Sequence, residues 1–168
     1  SEVNALEFVS ESYKQLSKYV AKTRAYPSII DGFKFVERRI VYANRKYTKF
    51  TKSASLVGDA IKYHPHSSDA IYGSLVSMAG RYSPFKLFEG KGNFGGLGYW
   101  AAASRYTEAY PSELSKYMYL YCADYADFDQ GEAGLDEPMN LPALIPYALL
   151  TGSTSIPVGL PVPSIPRY

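Results

Sequence analysis

A glycine-rich run, residues 90–98 (GKGNFGGLG), leads into residues 101–108 (AAASRYTE), and this stretch constrains the chain more than any other. Five glycines in nine residues favour a loop, and the three alanines that follow leave room for a partner to approach closely. Arg105 then precedes Tyr106. A tyrosine hydroxyl has a pKa of about 10, and an adjacent guanidinium favours the phenolate and holds a phosphate by two parallel hydrogen bonds. The pair suits covalent attack on a phosphodiester, although a bare Arg-Tyr step is more often an ordinary exposed segment.

The glycine run also matches a nucleotide-binding pattern, because Gly90, Gly92 and Gly95 have the spacing of a phosphate loop. Such a loop opens directly into a helix. Here Gly96 and Gly98 continue the loop instead, so the sequence does not favour a nucleotide-dependent enzyme.

Length and composition indicate one domain, or one domain and the start of another, with enough apolar residues for a core. A single cysteine, Cys122, excludes an internal disulfide and favours a reducing compartment. The first residues include Glu2 and Glu7 and do not resemble a secretion signal. The most apolar stretch, residues 141–150, is too short to cross a bilayer.

The charge is small in total and uneven along the chain. The formal net charge is +2, but residues 1–66 carry twelve basic against six acidic side chains, and the remainder is acidic. A basic first third is compatible with a surface that follows phosphates, although such asymmetry is also common in proteins that bind no nucleic acid.

Hydrophobic spacing predicts an α+β chain that is mostly helical. The spacing predicts a helical arm over residues 2–23, a helix after the Asp31-Gly32 turn with Lys34, Arg38 and Arg39 facing solvent, and two helices of a helix-turn-helix. The second of these follows Ser67 or Ser68 as the N-cap. Residues 84–89 are predicted to form a strand that pairs with residues 99–104 in a β-wing.

Two further clusters contain histidine or carboxylate residues, which are common metal ligands. His64 and His66 lie two residues apart, but no cysteine, histidine or carboxylate near them in sequence completes a ligand set. Residues 124–137 are rich in aspartate and glutamate, and Pro138 at the last ligand position breaks a calcium-loop register. We expect a solvated loop there, and no metal bound by this chain.

Four blocks in order resemble the DNA-breaking subunit of type IIA topoisomerases, the gyrase A and topoisomerase IV family. They are residues 31–43 (DGFKFVERRIVYA), 52–72 (KSASLVGDAIKYHPHSSDAIY), 90–108 (GKGNFGGLGYWAAASRYTE) and 141–159 (LPALIPYALLTGSTSIPVG). The resemblance runs from about residue 24 to residue 166. The chain departs from the family pattern at Phe35 and Glu37, where proline and histidine are usual, and beside Ile156, where Ser155 and Pro157 replace glycine and alanine.

This resemblance implies roles for particular residues. Tyr106 is the expected nucleophile, and Arg105, His66 and Arg24 the groups that stabilise charge on the phosphate. The expected DNA contacts are Lys34, Arg38, Arg39, His64, Ser67, Ser68 and Ile156, the last as a wedge between base pairs. Glu37 is not expected to contact DNA, because its charge opposes that of the phosphate.

The resemblance also implies the organisation and the activity. Residues 1–23 would be the arm, 24–139 a winged-helix domain with the active-site tyrosine, and 140–168 the beginning of a truncated tower domain. The expected function is breakage and rejoining of DNA through a 5′-phosphotyrosyl intermediate, by a homodimer acting on double-stranded DNA. Mg²⁺ and ATP would bind a partner toprim/ATPase (B-type) subunit or domain and not this chain.

Taken alone, the chain is expected to be a nearly inactive fragment. Its location would be the cytoplasm near the nucleoid, or the host cytoplasm or nucleus if the source is viral, with no membrane association. The alternative function is a non-catalytic winged-helix module, or decoy, that holds DNA without cutting it.

Overall fold

The computed structural model describes residues 4–80 and 83–153. Its helices and strands follow in chain order. They are α1 Ala5–Val20 with a π-helical continuation Ala21–Ala25, α2 Phe35–Ala43, β1 Thr51–Lys52, α3 Ser53–Ile61, α4 Ser68–Ala79, β2 Phe88–Lys91, β3 Glu108–Pro111, α5 Glu113–Ser115 with a π-helical turn Lys116–Leu120, a 3₁₀ turn Ala123–Tyr125, β4 Phe128–Gln130, β5 Asp136–Pro138 and α6 Tyr147–Thr151.

The core is built where α2, α3 and α4 contact one another and the sheet. Its largest buried side chains come from all of these elements and from the loops beside them. They include Phe33, Ile40, Val41, Leu56, Ile71, Leu75, Met78, Leu87, Phe88, Tyr119 and Leu141. Apolar residues recur three and four positions apart on each helix, as a stripe that faces a core requires. The prediction that α3 and α4 form a helix-turn-helix is confirmed in outline, although Ile61 is more exposed than expected.

Local signals explain how two of these helices begin. The Glu37 carboxylate accepts a hydrogen bond from the Lys34 backbone N–H at 2.9 Å, so it caps α2. Burial of the carboxylate raises the pKa of Glu37. Ser67 is the N-cap residue of α4, but its hydroxyl makes no capping hydrogen bond.

The turn before α2 requires glycine. Gly32 has a φ of +73°, and a Cβ on it would lie 2.2 Å from the Tyr147 backbone nitrogen. In the same turn, the Asp31 carbonyl accepts a hydrogen bond from that Tyr147 N–H at 2.8 Å. The chain near residue 147 is therefore packed directly against the start of α2.

A three-stranded antiparallel sheet completes the winged helix, in the order β1-β3-β2. Thr51 pairs with Ala109, and Lys91 pairs with Glu108. The predicted wing was partly wrong, because the partner of β2 is β3 and not residues 99–104. The reason lies in the connection: Gly92, Gly95 and Gly98 all have positive φ, and this backbone forms turns that delay the return strand until Glu108.

The acidic stretch is largely exposed, as its composition predicts, but it forms a hairpin instead of a loop. Strands β4 and β5 pair as a hairpin, with Phe128 opposite Pro138 and Gln130 opposite Asp136. Glu137 is buried on this hairpin. Two of its carboxylates, Glu132 and Glu137, pair with Arg39 of α2, which stabilises this acidic segment against the helix.

The two ends of the described chain differ. No residue of α1 is buried, as expected for an arm. Leu141 and Tyr147, by contrast, belong to the hydrophobic core, so the first residues assigned to a tower pack with the winged-helix domain. The division of the chain at residues 23/24 and 139/140 stays a prediction. Within the described residues, no helix has the length and apolar character needed to span a membrane.

Candidate functional site

Tyr106 lies on the long connection between β2 and β3, and its side chain is 64% exposed. The Arg105 guanidinium carbon lies 4.7 Å from the centroid of the Tyr106 ring, which is a cation–π distance. Arg105 is itself exposed. Among residues 4–80 and 83–153, nothing hydrogen-bonds the Tyr106 hydroxyl, so this oxygen faces solvent with a positive charge beside its ring.

Hydroxyl groups of half-buried Tyr72 and of buried Thr107 and Ser53 bond the backbone around Tyr106 to the helices. The Tyr72 hydroxyl donates a 2.6 Å hydrogen bond to the Ala102 carbonyl and lies 3.0 Å from Thr107 Oγ1. Thr107 Oγ1 lies 2.8 Å from Ser53 Oγ, and the Ser53 N–H donates to the Thr107 carbonyl at 2.9 Å. The exposed tyrosine therefore stands on a segment that is fixed to the starts of α3 and α4.

Sequence reasoning missed Tyr72, Ser53 and Thr107 as supports of this segment. Thr107 and Ser53 are fully buried. Only the position of Thr107 directly after the Arg-Tyr pair pointed to a role, because the other two residues lie more than thirty positions away in sequence.

Asn93 fixes the tip of the same loop. Its amide Nδ2 donates to the Trp100 carbonyl at 3.2 Å, and its Oδ1 accepts from the Gly95 N–H at 2.9 Å. The Ala102 N–H donates to the Asn93 carbonyl at 3.0 Å. The side chain and the backbone carbonyl of Asn93 together fix the conformation of the loop tip.

A second cluster forms where α2, the turn before α4 and the β4-β5 hairpin meet, and Arg39 is its centre. Arg39 donates from Nε and Nη2 to the two oxygens of Glu137, both at 2.6 Å, in a bidentate ion pair. Its Nη1 lies 2.7 Å from His64 Nδ1 and donates to Glu132 Oε2 at 3.1 Å. Glu137, Glu132 and His64 thus all contact the Arg39 guanidinium.

His64 is neutral at pH 7 in this arrangement. Burial, together with the charges of Arg39 and His66, lowers the pKa of His64 to about 4. The neutral ring presents the Nδ1 lone pair to the Arg39 N–H, which fixes its tautomer.

His66 lies beside the same carboxylate. Its Nε2 is 3.2 Å from Glu132 Oε2, and its ring centroid is 4.4 Å from that of His64. The Tyr19 hydroxyl donates to Glu132 Oε1 at 2.6 Å. The hydrogen bond from Tyr19 and the bond and charge of Arg39 hold the pKa of Glu132 at about 2. Arg24 lines the small pocket that Arg39, His64, His66 and Glu132 form together.

The structure corrects the expectation that Arg38 and Arg39 face solvent. Arg38 is 3% exposed and Arg39 4% exposed. Arg38 donates from Nε and Nη2 to the carboxylate of Asp31 at 2.6 and 3.1 Å. The helical pattern placed both arginines opposite the apolar stripe, but the loop at Asp31 and the hairpin at Glu137 cover that face of α2.

The remaining predicted contact residues lie apart from this cluster. Lys34 is half-buried and lines a cleft of about 720 Å³ together with Glu37, Trp100 and Tyr147. Ser67 and Ser68 are exposed at the start of α4. Ile156 lies outside the described residues, and its predicted wedge role stays a prediction.

The predicted catalytic residues therefore fall into two groups. Arg105 and Tyr106 form one, and Arg24 and His66 line the other. Within the described part of the chain, no hydrogen bond, ion pair or ring contact joins the two groups.

The structure also corrects the expectation that no third ligand accompanies the histidines. His64, His66 and Glu132 offer one donor atom each, all within 4.8 Å of one another. The Arg39 guanidinium already contacts two of these three groups, so the protein supplies its own cation there. The set contains two nitrogens and one carboxylate, whereas Mg²⁺ prefers oxygen ligands, so it does not fit that ion.

A three-stranded antiparallel sheet on a helix-turn-helix, with an exposed Arg-Tyr pair on a fixed wing loop, defines a winged-helix protein of α+β class. Residues 24–168 match the model of the family described as the A subunit of DNA gyrase/topoisomerase IV. The chain belongs to this family.

Curated relatives agree with this assignment. The chain is 42% identical over 166 residues to the DNA gyrase A subunit from Aminobacterium colombiense, covering 92% of this chain and 20% of that protein. It is 44% identical over 168 residues to the DNA topoisomerase 4 A subunit of Escherichia coli K12, covering 92% of this chain and 22% of the relative. A third relative, the DNA topoisomerase 4 A subunit of Borreliella burgdorferi, is 38% identical over 165 residues, covering 95% and 26%. The chain thus spans about a fifth to a quarter of the length of these relatives.

Proposed function

We propose that this chain carries the nucleophile of a type IIA topoisomerase and that Tyr106 breaks and rejoins DNA. The observation that supports this most is the exposed Tyr106 side chain beside the Arg105 guanidinium, on a loop that the hydroxyl groups of Tyr72, Thr107 and Ser53 bond to the helices. A fixed loop keeps the nucleophile in one geometry, and this lowers the entropic cost of reaching the transition state.

The chemistry is a transesterification. The Tyr106 oxygen bonds to phosphorus as the bond from phosphorus to the 3′-oxygen of the neighbouring nucleotide breaks. The phenol loses its proton and the leaving 3′-oxygen gains one, so the products are a 5′-phosphotyrosyl bond and a free 3′-hydroxyl. Rejoining is the reverse reaction and needs no external energy for the bond itself. Arg105 neutralises charge that develops on the phosphate oxygens.

His66 and Arg24 complete the proposed site from the second group. Tyr106 contacts neither of them within the described residues, so the proposal requires the phosphate to lie between the two groups. One chain or two copies of the chain can present them, and we propose a homodimer that cuts one strand with each Tyr106. Ile156 is proposed as the wedge that bends the duplex.

The rest of the activity is proposed to lie elsewhere. Mg²⁺ and ATP would be bound by a toprim/ATPase partner of B type. Mg²⁺ would supply charge stabilisation at the scissile phosphate, and this chain would supply the nucleophile, Arg105 and the DNA-facing wing.

The test is the substitution Tyr106→Phe in the complete natural protein, assembled with its B-type partner on plasmid DNA. We expect covalent protein–DNA adducts to disappear, because phenylalanine has no nucleophilic oxygen, while DNA binding persists. The matched control is Tyr99→Phe, which removes the hydroxyl of a half-exposed tyrosine from the same loop and should leave adduct yield unchanged.

Two results would contradict the proposal. Adducts at normal yield in Tyr106→Phe would place the nucleophile elsewhere. Binding without any adduct in the unaltered enzyme would favour the alternative, a winged-helix module that holds DNA and does not cut it.

A further inference from the structure

In the second cluster, the Glu132 carboxylate is the anion that Arg39, Tyr19 and His66 surround. Its carboxylate accepts hydrogen bonds from Arg39 Nη1 at 3.1 Å and from the Tyr19 hydroxyl at 2.6 Å, and its Oε2 lies 3.2 Å from His66 Nε2. A guanidinium, an imidazole and a hydroxyl that converge on one pair of oxygens form a general oxyanion site. In this chain the oxyanion is the protein's own side chain.

The charge of Arg39 does not require Glu132. Glu137 already pairs with Arg39 through two hydrogen bonds of 2.6 Å, and His64 beside it is neutral. A second carboxylate on the same guanidinium leaves Arg39 and the two glutamates with a net negative charge. Arg24 in the same group brings the total to zero, so the cluster attracts a DNA phosphate less strongly while Glu132 stays in place.

Of the two glutamates bound to Arg39, Glu132 is the one whose side chain can rotate away. Its side chain is 30% exposed, compared with 11% for Glu137 and 5% for Arg39. It lies in the turn between β4 and β5, and rotation of its side chain alone releases Arg39 and His66. Glu137 then still holds Arg39 in position.

We infer that the Glu132 carboxylate is an internal competitor for a backbone phosphate of DNA, and that phosphate takes its place on Arg39 and His66 when DNA binds. The inference rests on the proposed function, since it takes the ligand to be a phosphodiester. It assigns Glu132 a role in setting DNA affinity that neither the acidic composition of the segment nor the Arg-Tyr block indicates.

The experiment measures binding of the complete natural protein to a short DNA duplex in EDTA, which prevents cleavage and removes divalent cations from the histidines. Glu132→Gln keeps the shape and removes the charge, so we expect binding to become about three- to tenfold tighter at low salt. The slope of log affinity against log salt should steepen by up to about one, because one more arginine charge exchanges counterions with DNA.

Two further variants separate this role from a general effect of charge. Glu113→Gln makes the same charge change at a glutamate whose side chain is 85% exposed and whose ion pair is with Lys116, so it should alter neither affinity nor slope appreciably. Tyr19→Phe removes one hydrogen bond that retains Glu132 and should tighten binding by a smaller factor, with the side chain otherwise unchanged.

The outcomes distinguish this inference from the function on which it rests. If Glu132→Gln binds no more tightly than Glu113→Gln while the unaltered enzyme forms Tyr106 adducts, the competitor role is wrong and the proposed function stands. If binding tightens as expected but no adduct forms in any preparation, Glu132 competes with phosphate in a protein that does not cut DNA.

Discussion

Arginine has opposite surroundings in two regions of this chain. On α2, Arg38 and Arg39 are buried and each is bonded to a carboxylate. On the wing loop, Arg105 is exposed, and its guanidinium lies over the ring of Tyr106. The Arg39 pair joins residues 98 positions apart and the Arg38 pair joins α2 to the turn seven residues before it, whereas the Arg105 contact joins neighbours.

The difference separates the charge of Arg105, which is available at once, from charge paired inside the protein, at Arg38 and at Arg39 while Glu132 stays in place. A buried, bidentate pair fixes two segments relative to each other, and a buried arginine left without its carboxylate would be costly. An exposed guanidinium contributes little to stability and is free to meet a phosphate. Arginine content alone therefore does not indicate where DNA binds.

The largest expected effect comes from breaking the α2 side of this comparison with Asp31→Asn. Asp31 is fully buried, and besides Arg38 its carboxylate accepts hydrogen bonds from the backbone of Phe33 and Leu141. Loss of the charge leaves Arg38 buried without its counterion, which should lower the free energy of unfolding by about 3–5 kcal/mol. Urea unfolding measures this loss.

The control is Asp124→Asn, the same change at an exposed aspartate, which should alter stability by no more than about 0.5 kcal/mol. A loss below about 1 kcal/mol in Asp31→Asn would mean that Arg38 finds water or another partner, and the contrast with Arg105 would weaken.

The wing side of the comparison is tested by Arg105→Lys. Lysine keeps the charge and loses the planar fork that meets two phosphate oxygens. We expect DNA cleavage by the assembled enzyme to fall by roughly 10²–10³-fold, the loss typical of one missing oxyanion donor, with an unchanged thermal midpoint. Near-normal cleavage would show that charge alone suffices, and a lowered midpoint would show that Arg105 is structural after all.

The smallest effect concerns pH and the cluster around Arg39. The folded state holds the pKa of His64 at about 4, below its ordinary value of 6.5, so between these values the unfolded chain binds more protons and stability falls as pH falls. Burial is the largest cause of the lowered pKa of His64; Arg39, His66 and Arg24 add to it, and Glu132 opposes it.

His64→Gln removes this titration and keeps an acceptor for Arg39. We expect the unaltered chain to lose about 1 kcal/mol more stability than the variant between pH 7 and pH 5, after allowance for the half-exposed position of the ring. Urea midpoints at the two pH values measure it. Below about pH 4.5 both proteins should lose stability further, since protonation of Glu132 disrupts its low-pKa contacts. Equal losses between pH 7 and pH 5 would exclude His64 as the titrating group.

Much of the fold was predictable from local patterns. The apolar spacing of α2, α3 and α4 predicted their position in the sequence, and the glycine run predicted a loop before the Arg-Tyr pair. The error in the wing had a local cause, since residues 99–104 look extended but lie within a loop held by Asn93 and three positive-φ glycines. Periodicity describes which face of a segment is apolar and does not report which segment pairs with it.

The sequence by itself determined the family, the α+β winged-helix class, and Arg105 and Tyr106 as a pair, because those features depend on residues within one short block or on blocks in order. Only the tertiary structure decided that Arg38 and Arg39 are buried, that Glu132 reaches Tyr19 and His66, and that Tyr72 supports the loop of Tyr106. The contacts of Tyr72 and Glu132 join residues 30 to 113 positions apart. Ion pairs and hydrogen bonds of that kind depend on distances of a few ångströms, which exist only after the hydrophobic core has brought the segments together.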